Sequence, residues 1–215
     1  MRSTTSRGGR ANAVWVATVC YGGFVFDPAY VAPETIRPLR REEYDRLVEQ
    51  GLFDDERLEL LRGALVTMSP QGSPHAAVIR LLTHLLVPVL HGRALVQIQC
   101  PLAVSDDSEP EPDVAVLEPA DDGYASGHPH TAHLVIEVAD SSLATDRAIK
   151  SELYASAGVP EYWIVNLAEQ VVEVHRVPGA AGYQQVTRRD RSATLHVHAF
   201  PDVALHVADF LPEIG

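Results

Sequence analysis

The sequence predicts a single α/β domain with a mixed central sheet flanked by helices. The chain has 215 residues, of which 46% are apolar and 21% charged, values typical of a globular protein with one core. Short runs rich in Val, Ile and Leu alternate with segments of helical periodicity, a pattern that favours strands and helices in one layered domain. Residues 133–138 are almost all apolar, as in a central strand covered on both faces.

The elements follow from periodicity and from turn signals. We predict helices over 40–50 and 75–90, and a third running from Ser141 or Ser142 to residue 157, where Gly158 ends it. A hairpin over 59–68 turns at Arg62-Gly63. The strands are expected at 94–104, 112–117, 133–138, 161–165 and 171–176, with a closing edge strand near 200–205.

The first residues are expected to lie outside the fold. We predict a variable or disordered extension over 1–29 and the domain over 30–215. Arg2, Arg7 and Arg10 precede a short apolar run that imitates a signal peptide, but the run contains Asn12 and lacks a small-residue cleavage site. No stretch reaches the length of a membrane span, and the two cysteines form no CxxC pair. We therefore expect a cytoplasmic protein without a membrane partner.

The charge balance is strongly acidic. Asp and Glu number 29 against 17 Lys and Arg, a formal net charge of -12. A protein that binds nucleic acid mainly by neutralising phosphates should be basic, so the charge alone argues against such a partner. Lys150 is the only lysine, because the other sixteen basic residues are arginines. An arginine-rich composition explains this bias, but it also makes the one lysine a candidate for function.

Two acidic residues lie in or beside strands that are predicted to be buried. Asp113 follows Pro112 at the mouth of one strand, and Glu137 interrupts the apolar run 133–138. A buried carboxylate needs a cation, a metal or strong hydrogen-bond donors. If the two strands are neighbours, the carboxylates converge into an oxygen site suited to Mg²⁺ or Mn²⁺. The alternative is a buried Glu–Arg pair together with a turn aspartate.

The helix after residue 141 carries a row of polar side chains. Asp146, Lys150 and Tyr154 are spaced i, i+4 and i+8, so they share one face. An ordinary surface ion pair is the alternative interpretation. It is weakened because this helix directly follows the Glu137 strand and packs back over the sheet, so that its first turns can face the carboxylates.

These residues resemble the Uma-type family of restriction endonucleases, within the PD-(D/E)xK nuclease superfamily. The resemblance covers residues 39–212 and rests on Pro112-Asp113, Glu137-Val-Ala139, Asp146, Lys150, Tyr154 and the run Gly-Val-Pro-Glu-Tyr-Trp-Ile-Val at 158–165. It implies a restriction-endonuclease-like fold and a Mg²⁺-dependent endonuclease, with Mn²⁺ as a substitute and DNA as the expected substrate. Ala139 stands where the superfamily has lysine. The family implies that the lysine has migrated to Lys150, so the prediction fails if Lys150 cannot reach the metal site.

The resemblance also implies a role for each site residue. Asp113, Glu137 and the Val138 carbonyl would hold Mg²⁺, and Lys150 would orient or activate the attacking water. Glu59 is either an accessory catalytic acid or a surface acid. Four further residues are expected to contact the metal-binding side chains or the phosphate of the substrate: His75, Gln99, Asp146 and Tyr154. The alternative for His75 is that it only caps its helix. Relatives in the superfamily often pair, so a homodimer is expected.

Two other functions stay open. The first is a nuclease-fold binding or interaction module without catalysis. The second is a zinc hydrolase that uses the histidine clusters His128, His130 and His133 or His196 and His198. These clusters lack a nearby cysteine and a fourth ligand, which favours solvated loop histidines. No hydrolase elbow, P-loop, dinucleotide or HExxH motif occurs.

Overall fold

A computed structural model describes residues 37–213 and the backbone of a short antiparallel pair, β1 (Cys20–Tyr21) and β2 (Phe24–Val25). The chain divides into two compact units, Met1–Arg37 and Pro38–Gly215. The predicted extension over 1–29 and its signal-like run lie outside the described residues, apart from the backbone of β1 and β2.

The second unit contains helices and strands in the predicted alternation. In chain order its elements are α1 (Arg41–Glu49), β3 (Leu58–Leu61), β4 (Ala64–Thr67), α2 (Ser73–Leu90), β5 (Leu95–Ile98), β6 (Val114–Leu117), β7 (Leu134–Ala139), α3 (Leu143–Thr145), a π-helical segment (Asp146–Lys150), α4 (Ser151–Ser156), β8 (Glu161–Asn166), β9 (Val171–Gly179), β10 (Gly182–Asp190), β11 (Thr194–Val197), β12 (Phe200–His206) and α5 (Val207–Phe210).

The central sheet has six strands in the order β10-β9-β8-β7-β6-β5. Only β7 and β8 run parallel, and the other neighbours are antiparallel. A parallel pair needs a crossover connection, which here is the helical stretch from α3 to α4. The mixed α/β sheet flanked by helices is therefore confirmed, and the strands that carry Asp113 and Glu137 are neighbours.

The sheet is covered on both faces. On one face Leu134, Ile136 and Val138 of β7 pack with the apolar side of α2, the β11–β12 hairpin and α5. On the other face Val135 and Ala139 join a cluster that includes residues of α4 and β8. Every residue of β7 is buried, as the continuous apolar run predicts. Glu137 is therefore held inside the protein by its neighbours in the strand.

Several predicted elements differ from the structure in extent or place. The strand expected over 94–104 ends at Ile98, because Gln99 adopts a left-handed backbone conformation with φ 48°. The expected closing edge does not join the central sheet, whose edges are β5 and β10, since β12 pairs with β11 in a separate hairpin. Helix α2 begins at Ser73, two residues before the predicted start.

The expectation that no stretch reaches the length of a membrane span was wrong, because helix α2 has that length and composition; it is the single such helix among the residues that the structure describes. Core helices pass the same test. Its buried side chains Val78, Ile79, Leu82, Leu86 and Leu90 belong to the cluster beneath the sheet.

The turn at Arg62-Gly63 provides a test of the hairpin that carries Glu59. Gly63 has φ +78°, and a Cβ added there would lie 2.3 Å from Pro38 Cβ and 2.9 Å from Pro38 Cα. We expect Gly63→Ala to lower the free energy of unfolding by about 3 kcal/mol, because it combines backbone strain with a clash against main chain.

The matched control is Gly92→Ala. Gly92 has φ +73°, but an added Cβ meets nothing within 4 Å. It should cost about 1 kcal/mol, the strain of the left-handed conformation alone. Equal losses for the two variants in denaturant unfolding would contradict the close packing of Gly63 on Pro38.

Candidate active site

Asp113 and Glu137 meet where the pairing of β6 with β7 ends. The last paired residues are Val114 and Ile136, so Asp113 lies just beyond the ladder beside Glu137. The Val138 N–H donates to Asp113 Oδ2 at 2.9 Å, and the Asp113 N–H donates to Glu137 Oε2 at 3.4 Å. Both side chains are buried. The structure thus brings the two carboxylates together as the neighbouring strands predict.

Lys150 reaches this pair. Its Nζ lies 3.0 Å from Glu137 Oε1 and 3.0 Å from Glu59 Oε2. Glu59 is only 5% exposed and belongs to β3, all of whose residues are buried. The interpretation of Glu59 as a surface acid was therefore wrong, and so was the alternative of a buried Glu–Arg pair at Glu137.

A π-helical turn positions Lys150 and Asp146. The Ser151 N–H donates to the Asp146 carbonyl, five residues back, instead of four as in an α-helix. Both Asp146 and Lys150 are buried. Ser142 takes the predicted N-cap position, but its hydroxyl donates to Asp146 Oδ2 at 2.6 Å and caps no backbone group.

Two tyrosines support the site from within the core. The Tyr154 hydroxyl donates to Glu137 Oε1 at 2.7 Å, and the Tyr162 hydroxyl donates to the Asp146 carbonyl at 3.3 Å. Their rings pack with centroids 5.0 Å apart. Tyr154 therefore makes a polar contact with Glu137 in addition to its packing in the core.

His75 and Gln99 both contact Asp113. His75 Nε2 lies 3.1 Å from Asp113 Oδ2, and Gln99 Nε2 donates to Asp113 Oδ1 at 3.1 Å. The left-handed backbone of Gln99 occurs next to this contact, and such strained residues concentrate at functional sites. The alternative of His75 as a helix cap was wrong, because Gly72 is the N-cap and His75 is the third residue of α2.

The buried cluster carries more negative than positive charge. The cluster contains four carboxylates, those of Glu59, Asp113, Glu137 and Asp146, and one ammonium, that of Lys150. Burial raises the pKa of Glu137 to about 8, against the opposing effect of Lys150. Burial by itself would lower the pKa of Lys150, but Glu137, Glu59 and Asp146 raise it above its ordinary value. Glu137 and Lys150 therefore both stay protonated to a higher pH than they would in water.

A cavity opens onto this cluster between the loop before α2 and the loop after β7. It is lined by the side chains of the cluster and by Arg57, Thr67, Met68, Ser69, Pro70, Gln71, Gly72, His75, Glu111, Asp140, Ser141, Ser142 and Thr145. Sequence reasoning missed Glu111, whose N–H donates to Glu59 Oε2 at 3.4 Å and whose carboxylate pairs with Arg57. Its position two residues before Asp113 was the available signal, since alternate residues of an extended chain share a side.

The histidine clusters are engaged elsewhere. His130 Nδ1 lies 2.9 Å from the Ala103 carbonyl, His133 Nε2 lies 2.8 Å from Glu118 Oε2, and His196 Nδ1 lies 2.9 Å from the Pro201 carbonyl. Within residues 37–213, no group of three or more His, Cys, Asp or Glu side chains is placed to hold one metal ion. A cation site built on Asp113 and Glu137 therefore has two carboxylates and needs oxygen from the backbone or from water.

The comparisons with known proteins fall on the same part of the chain. The sequence model of the Uma2 family, described as "Putative restriction endonuclease", matches residues 41–208. No curated protein matches. A crystal structure from Anabaena variabilis, described as a putative nuclease belonging to DUF820, matches with a TM-score of 0.62 and 17% identity, over 81% of this chain and 98% of that chain.

At that identity the solved structure shows the shared fold alone, whereas the family model reaches across most of the domain. Its matched region contains β3, β6, β7 and the helical crossover, which carry Glu59, Asp113, Glu137 and Lys150. This chain belongs to the Uma2 family of putative restriction endonucleases.

Proposed function

We propose that this protein is a divalent-cation-dependent endonuclease that hydrolyses phosphodiester bonds, with DNA as its expected substrate. The observation that carries the proposal is the position of Lys150. Its ammonium lies 3.0 Å from Glu137, the acid that is hydrogen-bonded to the Asp113 backbone. This contact supports the expectation that Lys150 takes the place of the superfamily's lysine beside the Asp/Glu pair.

The donor set fits Mg²⁺ or Mn²⁺. Asp113, Glu137 and the Val138 carbonyl would hold the ion, and carboxylate and carbonyl oxygens are the ligands that these cations prefer. The Val138 N–H points to Asp113, and the carbonyl of a strand residue lies on the same side as its N–H. The excess negative charge of the cluster favours a cation there. When bound, the ion polarises a phosphoryl oxygen and lowers the pKa of a coordinated water.

Lys150 acts in this proposal as a fixed positive charge. Its raised pKa keeps the ammonium protonated at neutral pH, so it orients the substrate and offsets the charge of the phosphorane but does not accept a proton. Glu59 also pairs with this ammonium, at 3.0 Å. Tyr154 and Gln99 fix the rotamers of Glu137 and Asp113, respectively, through their hydrogen bonds.

The surface charge indicates that the non-specific electrostatic attraction of this protein to nucleic acid is weak. Nine of the arginines that the structure describes form ion pairs with carboxylates: Arg41, Arg46, Arg57, Arg62, Arg93, Arg147, Arg176, Arg188 and Arg191. A paired guanidinium attracts phosphate less, and the net charge is -12. Tight binding would then need the cation, a dimer or a partner. The homodimer and the cytoplasmic location stay predictions.

The role of Lys150 can be tested directly. With Mn²⁺ and plasmid, linear or single-stranded DNA, we expect Lys150→Ala to cleave about 100-fold more slowly or worse, because it removes a charge that stabilises the transition state. Arg147→Ala is the matched control, since Arg147 lies three residues earlier and pairs with Glu173 outside the cavity. It should cleave like the wild type. Equal cleavage by Lys150→Ala and the wild type would contradict the proposal.

The pKa of Glu137 predicts how stability depends on pH. The folded protein holds this proton up to about pH 8, whereas the unfolded chain loses it near the ordinary pKa of 4.5. Unfolding therefore releases a proton, and the free energy of unfolding falls as the pH rises through this interval. In EDTA we expect Tm to fall by about 4 °C or more between pH 5.5 and pH 8.5, and Mn²⁺ to reverse much of the loss.

Glu137→Gln tests the assignment of this pH dependence, because the amide imitates the protonated carboxyl. Its Tm should change much less over the same pH interval. A variant that loses as much stability as the wild type would show that Glu137 is not the group responsible.

A further inference from the structure

Asp146 is a buried carboxylate with one oxygen left unsatisfied. The residue is 1% exposed, and its Oδ2 accepts a hydrogen bond from the Ser142 hydroxyl at 2.6 Å. Its Oδ1 is buried and has no hydrogen-bond partner among residues 37–213. Leaving a buried carboxylate oxygen without a donor is costly, so its conformation has to be imposed by the surrounding structure.

The surrounding structure does hold Asp146 at the cavity. Ser142 fixes one oxygen, Tyr162 donates to the backbone carbonyl, and the π-helical turn sets the direction of the side chain. The charged groups nearest to it are Lys150 on the same turn, Glu59 on β3 and the metal-site acids Asp113 and Glu137. The Lys150 ammonium is already paired with Glu137 and Glu59, and Asp146 lines the cavity, so a molecule bound in the cavity is the available donor for Oδ1.

We propose that Asp146 is the general base of the hydrolysis, with Oδ1 accepting a hydrogen bond from the attacking water. This inference rests on the proposed nuclease function. As the water oxygen forms its bond to phosphorus, its proton passes to Asp146 Oδ1. The bond from phosphorus to the leaving ester oxygen breaks, and that oxygen keeps the electron pair and takes a proton from solvent.

Lys150 is less suited to accept this proton. Lys150 is already protonated between its two carboxylates, so it has no lone pair to offer. Burial raises the pKa of Asp146 to about 6, with Lys150 opposing the shift. Asp146 is thus ionised at neutral pH and is a stronger base than an exposed aspartate, which is the property that a general base needs.

The test compares Asp146→Asn with the wild type and with Asp140→Asn. The first variant keeps the shape of the side chain but removes its basicity. Asp140 is an exposed acid on the rim of the same cavity, so its variant controls for the loss of one negative charge. Circular dichroism checks that both variants fold.

The first measurement is calorimetric titration with Mn²⁺ at pH 6 in two buffers of different ionisation enthalpy. Asp146→Asn should bind Mn²⁺ about as well as the wild type, because Asp146 is not a ligand. It should release about half a proton fewer on binding, since Asp146 is near its titration midpoint at this pH. Asp140→Asn should match the wild type in both respects.

The second measurement is the pH profile of DNA cleavage at saturating Mn²⁺. We expect Asp146→Asn to be slower by about 100-fold or more and to lose the rise of rate with pH on the acid side. The inference would be overturned if Asp146→Asn cleaved DNA like the wild type, released as many protons as the wild type, or failed to bind Mn²⁺. A wild-type protein that shows the proton release but cleaves no nucleic acid would overturn the nuclease proposal and the role of Asp146 as base. The proton release would still show that Asp146 lies close to the bound cation.

Discussion

The buried contacts of Lys150 with two acids hold the site together. One ammonium lies 3.0 Å from carboxylates on two different strands, Glu59 on β3 and Glu137 on β7. Removing either partner from such a pair leaves a buried charge uncompensated, which costs several kcal/mol, typically about 3–5. The contact therefore fixes the β3–β4 hairpin, the central strand and the helical crossover relative to one another. A protein that needed only stability could fill this space with apolar side chains, so the retention of the charges points to chemistry.

The arrangement of the strands explains why the charges meet where they do. The ladder between β6 and β7 ends at Val114 and Ile136, and the next residues are the two acids. Because β7 and β8 are parallel, the chain must cross over the sheet between them, and the crossover carries Asp146 and Lys150 back above the end of β7. The π turn then directs both side chains inward. Side chains as far apart in the sequence as Glu59 and Lys150 thus form one cluster.

Much of the fold and of the candidate site could be predicted from the sequence, because buried strands appear in it as continuous apolar runs. The continuous apolar run made β7 a central strand, and the single acid in it had to have a partner. The π turn could not be predicted, since it depends on which carbonyl the Ser151 N–H reaches. The end of β5 was missed because Gln is not a residue that signals a turn, whereas Gln99 adopts a left-handed backbone beside its contact with Asp113. The burial of Glu59 depends on how β3 packs against distant segments, which periodicity does not report.

The central claim is that Asp113 and Glu137 hold a divalent cation beside Lys150. The most direct measurement is anomalous scattering from a crystal of the wild-type protein grown with Mn²⁺. We predict a peak within about 2.5 Å of a carboxylate oxygen of Asp113, one of Glu137 and the Val138 carbonyl. A peak at the histidines around His130, or none in the cavity at a saturating concentration of Mn²⁺, would contradict this assignment.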